Sequence, residues 1–218
     1  PDRVLNAMHR AAPNIYEGPL HDMVDTLYPD LLRVAQSSGQ AAIYIGNGHA
    51  GWEAAAINMF APGDRALVLT SGHFGRSWAE LLTQLGVEVE RLDFGNAPPE
   101  AERLAQRLAE DGEGRIRAVL VCQTDTASAT TADIPALRAA MGDHPALLAV
   151  DAIASLGCAP MMMDDWGVDV LIAASQKGMM TMPGMAFVWF SDKAAARGKG
   201  PRVTPYWDWH TRAGADAL

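Results

Sequence analysis

Short apolar runs alternate along the chain with longer stretches whose apolar residues recur at helical spacing. Runs of this length that are apolar throughout predict strands buried mostly on both faces of a sheet. Seven strands are predicted in this way, at Ala41–Ile45, Ala66–Leu69, Val87–Leu92, Ala118–Cys122, Ala146–Val150, Val168–Ala173 and Met185–Phe190. Four helices are predicted between them, at Trp52–Phe60, Ser77–Leu85, Pro98–Ala109 and Pro135–Met141.

Strands joined by crossover helices imply an α/β fold, with a mostly parallel sheet and helices on both of its faces in a three-layer α/β/α arrangement. We predict one large domain over residues 1–193. From Ala194 to Pro201 the composition changes, and residues 194–218 are predicted to begin a connection that leaves this domain. The sequence has no initial methionine and stops just after an aromatic-rich stretch, so both ends look cut and a longer protein is expected.

Composition narrows the class of ligand. Half of the chain is hydrophobic (49%) and its formal charge is −9, which argues against nucleic acid or an anionic membrane as the main partner and favours a small molecule. No apolar run approaches the roughly 20 residues of a membrane span. Cys122 and Cys158 lie far apart in apolar surroundings and indicate neither a disulfide framework nor a zinc site, and no metal site is predicted. A reducing cytoplasm is predicted, with organelle targeting left open.

An acid and an amine follow two neighbouring predicted strands. Asp151 ends one strand, and Lys177 comes just after the next in the motif Ser-Gln-Lys-Gly. Because ligands of such sheets bind at the carboxyl ends of the strands, both side chains are expected to face one pocket. Lys177 also stands alone in an otherwise uncharged stretch from Val170 to Trp189, where a lysine is costly unless it is paired or covalently used.

A glycine turn follows the first predicted strand. Gly46, Gly48 and Gly51 formally complete the spacing of a dinucleotide-binding fingerprint, but the acidic residue expected after the next strand is absent. A nicotinamide cofactor is therefore disfavoured. A turn that leads into a helix can still hold a phosphate through its backbone amides.

Six motifs occur along the chain in a fixed order, at Gly46–Glu53, Pro62–Asp64, Ser71–Gly75, Val150–Gly157, Asp165–Asp169 and Ser175–Gly178 with Pro183-Gly184 after it. In this order and spacing they resemble the class V branch of fold-type I pyridoxal-phosphate enzymes, and specifically the alanine- or serine-glyoxylate aminotransferases. The resemblance runs from Pro1 to about Trp209. It implies pyridoxal 5′-phosphate as the cofactor and a homodimer as the assembly.

The resemblance also implies roles around the cofactor ring. Lys177 resembles the lysine that forms a Schiff base and then moves a proton, and Asp151 matches the carboxylate that keeps the pyridine nitrogen protonated. Phe74 matches the aromatic residue that stacks on the ring, although simple core packing is the alternative. Thr126 aligns with a hydroxyl near the ring oxygen, or serves only its turn, and Ile153 aligns with the apolar residue under the ring.

Four further residues match positions that contact the phosphate: Asn47, Gly48, His49 and Gln176. Neither His49 nor His73 has an acid or base role that the sequence supports. The chain departs from the family pattern at Thr126–Thr130, where a run ending in glycine is usual, and at Tyr16-Glu17, where a His-Arg pair is common. The small C-terminal domain of the family has no counterpart in this sequence.

The implied activity is a ping-pong amino transfer from serine or alanine to a 2-oxo acid, with glyoxylate as the expected acceptor. No arginine lies in any matched motif, so small neutral donors are favoured over dicarboxylic ones. A lyase or desulfurase of the same branch is the first alternative, which Gln176 and Phe74 disfavour. A non-catalytic or truncated relative is the second.

Overall fold

The computed structural model describes residues 1–14, 16–197 and 203–214. The strands in these ranges are β1 (Gln40–Gly46), β2 (Arg65–Thr70), β3 (Glu88–Asp93), β4 (Ile116–Cys122), β5 (Thr124–Asp125), β6 (Thr130–Thr131), β7 (Leu147–Asp151), β8 (Val170–Ala174) and β9 (Gly184–Phe190). The helices are α1 (Asp2–Met8), α2 (Pro19–Ala35), α3 (Gly48–Met59), α4 (His73–Gln84), α5 (Ala101–Ala109), α6 (Ile134–Met141), α7 (Asp192–Ala195) and α8 (Trp209–Arg212). None of these described helices combines the length and the apolar character needed to cross a bilayer.

One seven-stranded sheet forms the centre of the fold, in the order β1-β9-β8-β7-β4-β2-β3. The pairs from β8 through β7, β4 and β2 to β3 are parallel, and β9 runs antiparallel to both β1 and β8. The seven predicted strands and the mostly parallel sheet are therefore confirmed. The sequence pattern did not predict the β5–β6 hairpin, whose strands have only two residues each.

Helices cover both faces of the sheet, and successive residues of each central strand point to opposite faces. Helices α2, α5 and α6 pack on one face, where Leu69, Val121, Val150 and Ala173 contribute to the core. Helices α3 and α4 pack on the other face, against alternate residues that include Ile172. This alternation, with both faces buried, explains why the strands are apolar without interruption.

Two expectations are corrected by the structure. Strand β3 lies at the sheet edge and has only half-buried and exposed positions, so it is not buried on both faces. Helices α3 and α4 begin at Gly48 and His73, one turn before the predicted Trp52 and Ser77. The first turn of α3 donates an amide to the Asn47 side-chain oxygen, and that of α4 donates to the Asp125 carboxylate. Hydrophobic periodicity alone does not show such a cap.

The described C-terminal segment, residues 203–214, returns to the sheet. Trp209 is fully buried and stacks on Phe190 at 4.6 Å between ring centroids. The Asn58 side chain donates to the Trp207 carbonyl and accepts from the Trp209 amide, which ties this segment to α3. The domain boundary at residue 193 stays a prediction, and residues 198–202 and 215–218 of the predicted connection lie outside the described residues.

Asp111 provides a test of electrostatic stability at the amino edge of the sheet. Its buried carboxylate accepts hydrogen bonds from the amides of Ile116 (2.7 Å) and Arg115 (3.1 Å), and His144 Nε2 lies 3.3 Å away. Burial raises the pKa of Asp111, but these hydrogen bonds outweigh it and hold the pKa below its ordinary value. A lowered pKa stabilises the fold above about pH 4, and the contribution is lost as the pH falls through the folded-state pKa.

We expect Asp111→Asn to lower the free energy of unfolding by about 1–3 kcal/mol at pH 7, because the charged acceptor of two buried amides is removed. Urea unfolding at pH 7, 5 and 3.5 measures the difference from wild type, which should shrink toward the lowest pH. Exposed Glu113→Gln is the control and should change stability little. A difference that stays constant with pH would assign the effect to packing rather than to charge.

Candidate active site

A cavity with about 650 Å³ of empty space, counted with the solvent at its mouth, opens at the carboxyl edge of the sheet. Asp151 ends β7, and Lys177 follows the neighbouring parallel strand β8, so both side chains reach this cavity as expected. The residues that line it are Asn47, Gly48, His49, Trp52, Phe74, Thr124, Thr126, Asp151, Ile153, Ala154, Gln176 and Lys177. The structure thus brings all nine predicted site residues together, and it adds Trp52, Thr124 and Ala154.

The turn between β1 and α3 forms one wall. The Asn47 side chain caps α3 by accepting a hydrogen bond from the His49 amide at 3.0 Å. Gly48 is packed so closely against Ile153 that a Cβ atom there would overlap the isoleucine side chain. The wall therefore presents a helix N-terminus, whose partial positive charge favours an anion, directly beside the loop that follows Asp151.

Asp151 lies at the buried floor of the cavity. Its Oδ1 accepts the Ile153 amide at 2.7 Å, and its Oδ2 accepts the Trp52 indole N–H at 3.0 Å and faces the Cys122 thiol at 3.5 Å. Burial raises the pKa of Asp151 to about 6, although the hydrogen bonds from Ile153, Cys122 and Trp52 lower it. None of the ion pairs among the described residues involves Asp151, so the buried carboxylate favours a positively charged ligand.

A second buried carboxylate, Asp125, fixes the wall that carries Phe74. It accepts the amides of Phe74 (2.8 Å) and Gly75 (3.1 Å) at the start of α4, and the amide of Ala127 in its own hairpin. Gly72 must lack a side chain, because a Cβ atom there would overlap this carboxylate. Asp125 thereby joins the aromatic wall to the hairpin loop of Thr126.

The loop of Lys177 is held by close backbone contacts. Gly178 packs against the Leu156 carbonyl so closely that any side chain would force the two loops apart. The Ser175 hydroxyl donates to the Met182 carbonyl at 2.7 Å, and the Met180 amide donates to the Lys177 carbonyl at 2.9 Å. These contacts fix the backbone on both sides of the lysine.

Gln176 carries a buried side-chain oxygen that has no hydrogen-bond partner among the described residues. Because Gln176 lines the cavity, this side-chain amide is available to a polar ligand there. The side-chain amide orientation that suits a ligand anion would present the nitrogen instead of the oxygen.

An exposed apolar patch lies beside the cavity, and we call Ile45, Met180, Met182 and Met185 the methionine patch. Ile45 is 77% exposed and faces Met185 across β1 and β9, while Met180 and Met182 are 57% and 58% exposed in the loop after Lys177. Four large apolar side chains exposed together at one edge are typical of an interaction surface.

The sequence did not single out Trp52 or Asp125 as site residues. Trp52 falls in a helix where a tryptophan normally indicates core packing, and only the fold brings its N–H to Asp151. Asp125 lies in a short hairpin that no periodicity marks.

The family model for the class-V aminotransferases matches residues 33–201 of the chain. The L-aspartate–glyoxylate aminotransferase of Paracoccus denitrificans is 38% identical over 162 residues, which cover 72% of this chain and 41% of that protein. The serine–glyoxylate aminotransferase of Methylorubrum extorquens is 34% identical, with 96% of this chain and 54% of that protein covered.

Among solved structures, the aspartate aminotransferase of subgroup IV from Thermus thermophilus superposes with a TM-score of 0.85 at 29% identity. The match covers 94% of this chain and 57% of that one. The chain therefore spans about half the length of the curated relatives it matches.

Proposed function

The chain belongs to the class-V aminotransferase family, and we propose that it is the cofactor-binding part of a cytoplasmic, homodimeric, pyridoxal-phosphate-dependent aminotransferase. It would transfer an amino group from serine or alanine to a 2-oxo acid, with glyoxylate as the acceptor. The observation that carries this proposal is the convergence of a buried acid, an amine, an aromatic ring and a helix N-terminus on one cavity.

The residues fit the cofactor in their chemistry. Asp151 is a buried carboxylate with no cationic partner among the described residues and suits a protonated ring nitrogen. The N-terminus of α3, with Asn47 and His49, suits a phosphate, and the unpartnered side-chain amide of Gln176 offers it a further polar contact. Phe74 offers an aromatic face and Ile153 an apolar one.

When bound, pyridoxal phosphate supplies an electron sink for the bonds at the amino-acid Cα. Lys177 Nζ would hold the cofactor covalently and, once released by the amino donor, would take and return the Cα proton. Asp151 would keep the positive charge at the ring nitrogen through the whole cycle. Phe74 and Ile153 would orient the ring between them and keep water from its faces.

The proposal assigns covalent attachment to Lys177, and the chain allows a sharp test because it contains only three lysines, Lys177, Lys193 and Lys199. We expect borohydride reduction of the cofactor-loaded protein, followed by peptide mapping, to label Lys177 alone. Lys177→Ala should lose the label and all measurable turnover.

Lys193→Ala is the matched control. The Lys193 ammonium donates to the Ala146 carbonyl and to Asp169, at the amino end of β7 and thus at the opposite edge of the sheet. This variant should be labelled like wild type. A label on Lys193 or Lys199 in the wild-type protein would refute the assignment.

The amino donor is proposed to be small and neutral. A dicarboxylic donor needs a cation for its second carboxylate, and among the described lining residues Lys177 is the one lysine and none is an arginine. The relatives differ on this point, since one is named for aspartate and another for serine.

Rapid-mixing spectroscopy of the loaded protein with serine, alanine, aspartate and glutamate, each followed by glyoxylate, tests the donor. We expect serine or alanine to convert the cofactor at least tenfold faster than the dicarboxylic donors, a difference of about 1.4 kcal/mol in transition-state binding. Faster conversion by aspartate would overturn the donor and leave the aminotransferase intact. Release of pyruvate and ammonia from serine, without amino transfer to glyoxylate, would indicate the lyase alternative.

The methionine patch is proposed to be covered by a second copy of the chain. Its side chains adjoin the loop of Lys177, so the same contact would close the side of the cavity. Isologous two-fold dimers are the commonest assemblies of soluble proteins, and obligate ones bury roughly 2,000 Å² or more.

Sedimentation at micromolar concentration should show a dimer for the wild-type protein. Met180→Glu with Met182→Glu should yield monomers, because two charges would be buried in the apolar contact. Val34→Glu is the control, since Val34 is similarly exposed (43%) but lies at the end of α2, near the opposite edge of the sheet. A monomeric wild type that binds the cofactor tightly would contradict the proposal.

A further inference from the structure

We propose that Trp52 is a positioning residue for Asp151, whose carboxylate it aims and keeps ionised at the floor of the cavity through its indole N–H. The inference deepens the proposed function and rests on it for the task of Asp151. The geometry that supports it lies entirely within the chain.

The hydrogen bonds to Asp151 divide unevenly between its two oxygens. Oδ1 is served by a backbone donor, the Ile153 amide, whereas both side-chain donors, Trp52 Nε1 and Cys122 Sγ, converge on Oδ2. A thiol is a weak donor, and its distance of 3.5 Å is long beside the 3.0 Å of the indole. By geometry, the Trp52 indole is therefore the closer and stronger of the two side-chain donors to the carboxylate.

The direction of this N–H is fixed by the surroundings of the ring. Trp52 is 1% exposed and stacks on Trp78, with 5.8 Å between centroids and 15° between planes. Its ring also meets His49 edge-on at 4.8 Å and Phe74 edge-on at 6.3 Å. One side chain thus contacts the acid, the predicted phosphate turn and the predicted stacking residue, so a shift of its ring would disturb all three.

The charges around Asp151 make its ionisation depend on the Trp52 N–H. Four titratable groups lie near Asp151. Cys122 ends the neighbouring strand β4, Asp125 lies in the β5–β6 hairpin, and His49 and Lys177 line the cavity wall. Burial and the negative charge of Asp125 both raise the pKa of Asp151, and the three donors oppose them. Removal of the indole N–H would raise the pKa further and protonate part of the acid at neutral pH.

Trp52→Phe tests the proposal, because it keeps an aromatic ring and deletes the N–H. Carboxyl ¹³C NMR of the cofactor-free protein, with the Asp151 signal identified by its absence in Asp151→Asn, follows the titration directly. We expect a midpoint about one pH unit above that of wild type, the size of one lost charge-assisted hydrogen bond. The affinity for pyridoxal phosphate at pH 7.5, measured by fluorescence quenching, should fall about tenfold.

Trp78→Phe is the matched control. Trp78 is equally buried and stacks on the same ring, but its indole N–H has no hydrogen-bond partner within the described residues. Trp78→Phe should therefore leave the titration midpoint of Asp151 at the wild-type value, while it lowers the stability of the fold about as much as Trp52→Phe does. If Trp52→Phe does not fold, 3-benzothienylalanine at position 52 keeps the ring shape and replaces only the N–H by sulfur.

An unchanged midpoint in the position-52 variant, or an equal shift in Trp78→Phe, would overturn the proposal. The titration needs no cofactor, so its outcome is separate from the proposed function. If wild type binds no pyridoxal phosphate while Trp52→Phe still shifts the midpoint, the proposed function fails and the positioning role of Trp52 stands.

Discussion

The burial of the Asp151 carboxylate at the end of β7 is the constraint around which the cavity is built. A buried charge is costly unless it is hydrogen-bonded or paired, and the described residues supply three hydrogen-bond donors but no ion pair to Asp151. Each donor comes from a different part of the fold: Ile153 from the next loop, Cys122 from β4, and Trp52 from α3. These elements must be correctly placed before the carboxylate can be accommodated at all.

The charge of the neighbouring buried carboxylate, Asp125, is compensated in a different way from that of Asp151. Asp125 accepts three backbone amides, two of them at the N-terminus of α4, whose dipole serves as its counter-charge. It is therefore satisfied internally and serves to hold Phe74 in place. Asp151 faces the cavity and accepts no helix N-terminus as a counter-charge, so a cationic group would fit beside it.

The sequence predicted the sheet well because its strands are short, apolar and separated by glycine or proline turns. It also predicted that Asp151 and Lys177 would share an edge, since parallel strands place their carboxyl ends together. It did not predict contacts between distant segments. The early start of α4 depends on Asp125, 51 residues away from Phe74, and the link from Trp52 to Asp151 spans 99 residues. Local periodicity carries no information about either contact.

For the proposed aminotransferase, the choice of amino donor would depend on a local contact that overall similarity does not reveal. Two relatives at 38% and 34% identity are named for different donors, aspartate and serine, although both match this chain along most of its length. A site distinguishes donors that differ by one carboxylate by placing either a cation or a neutral group opposite that carboxylate. An unpaired buried charge costs several kcal/mol of binding free energy, whereas a missing methylene costs about 1–3 kcal/mol. The described walls of the cavity consist of neutral or anionic groups, apart from Lys177, which the proposed chemistry would occupy, and His49 beside the proposed phosphate turn. Under the proposed function, discrimination between donors would therefore arise at the open side of the cavity next to the methionine patch, where one arginine from outside these walls would reverse it.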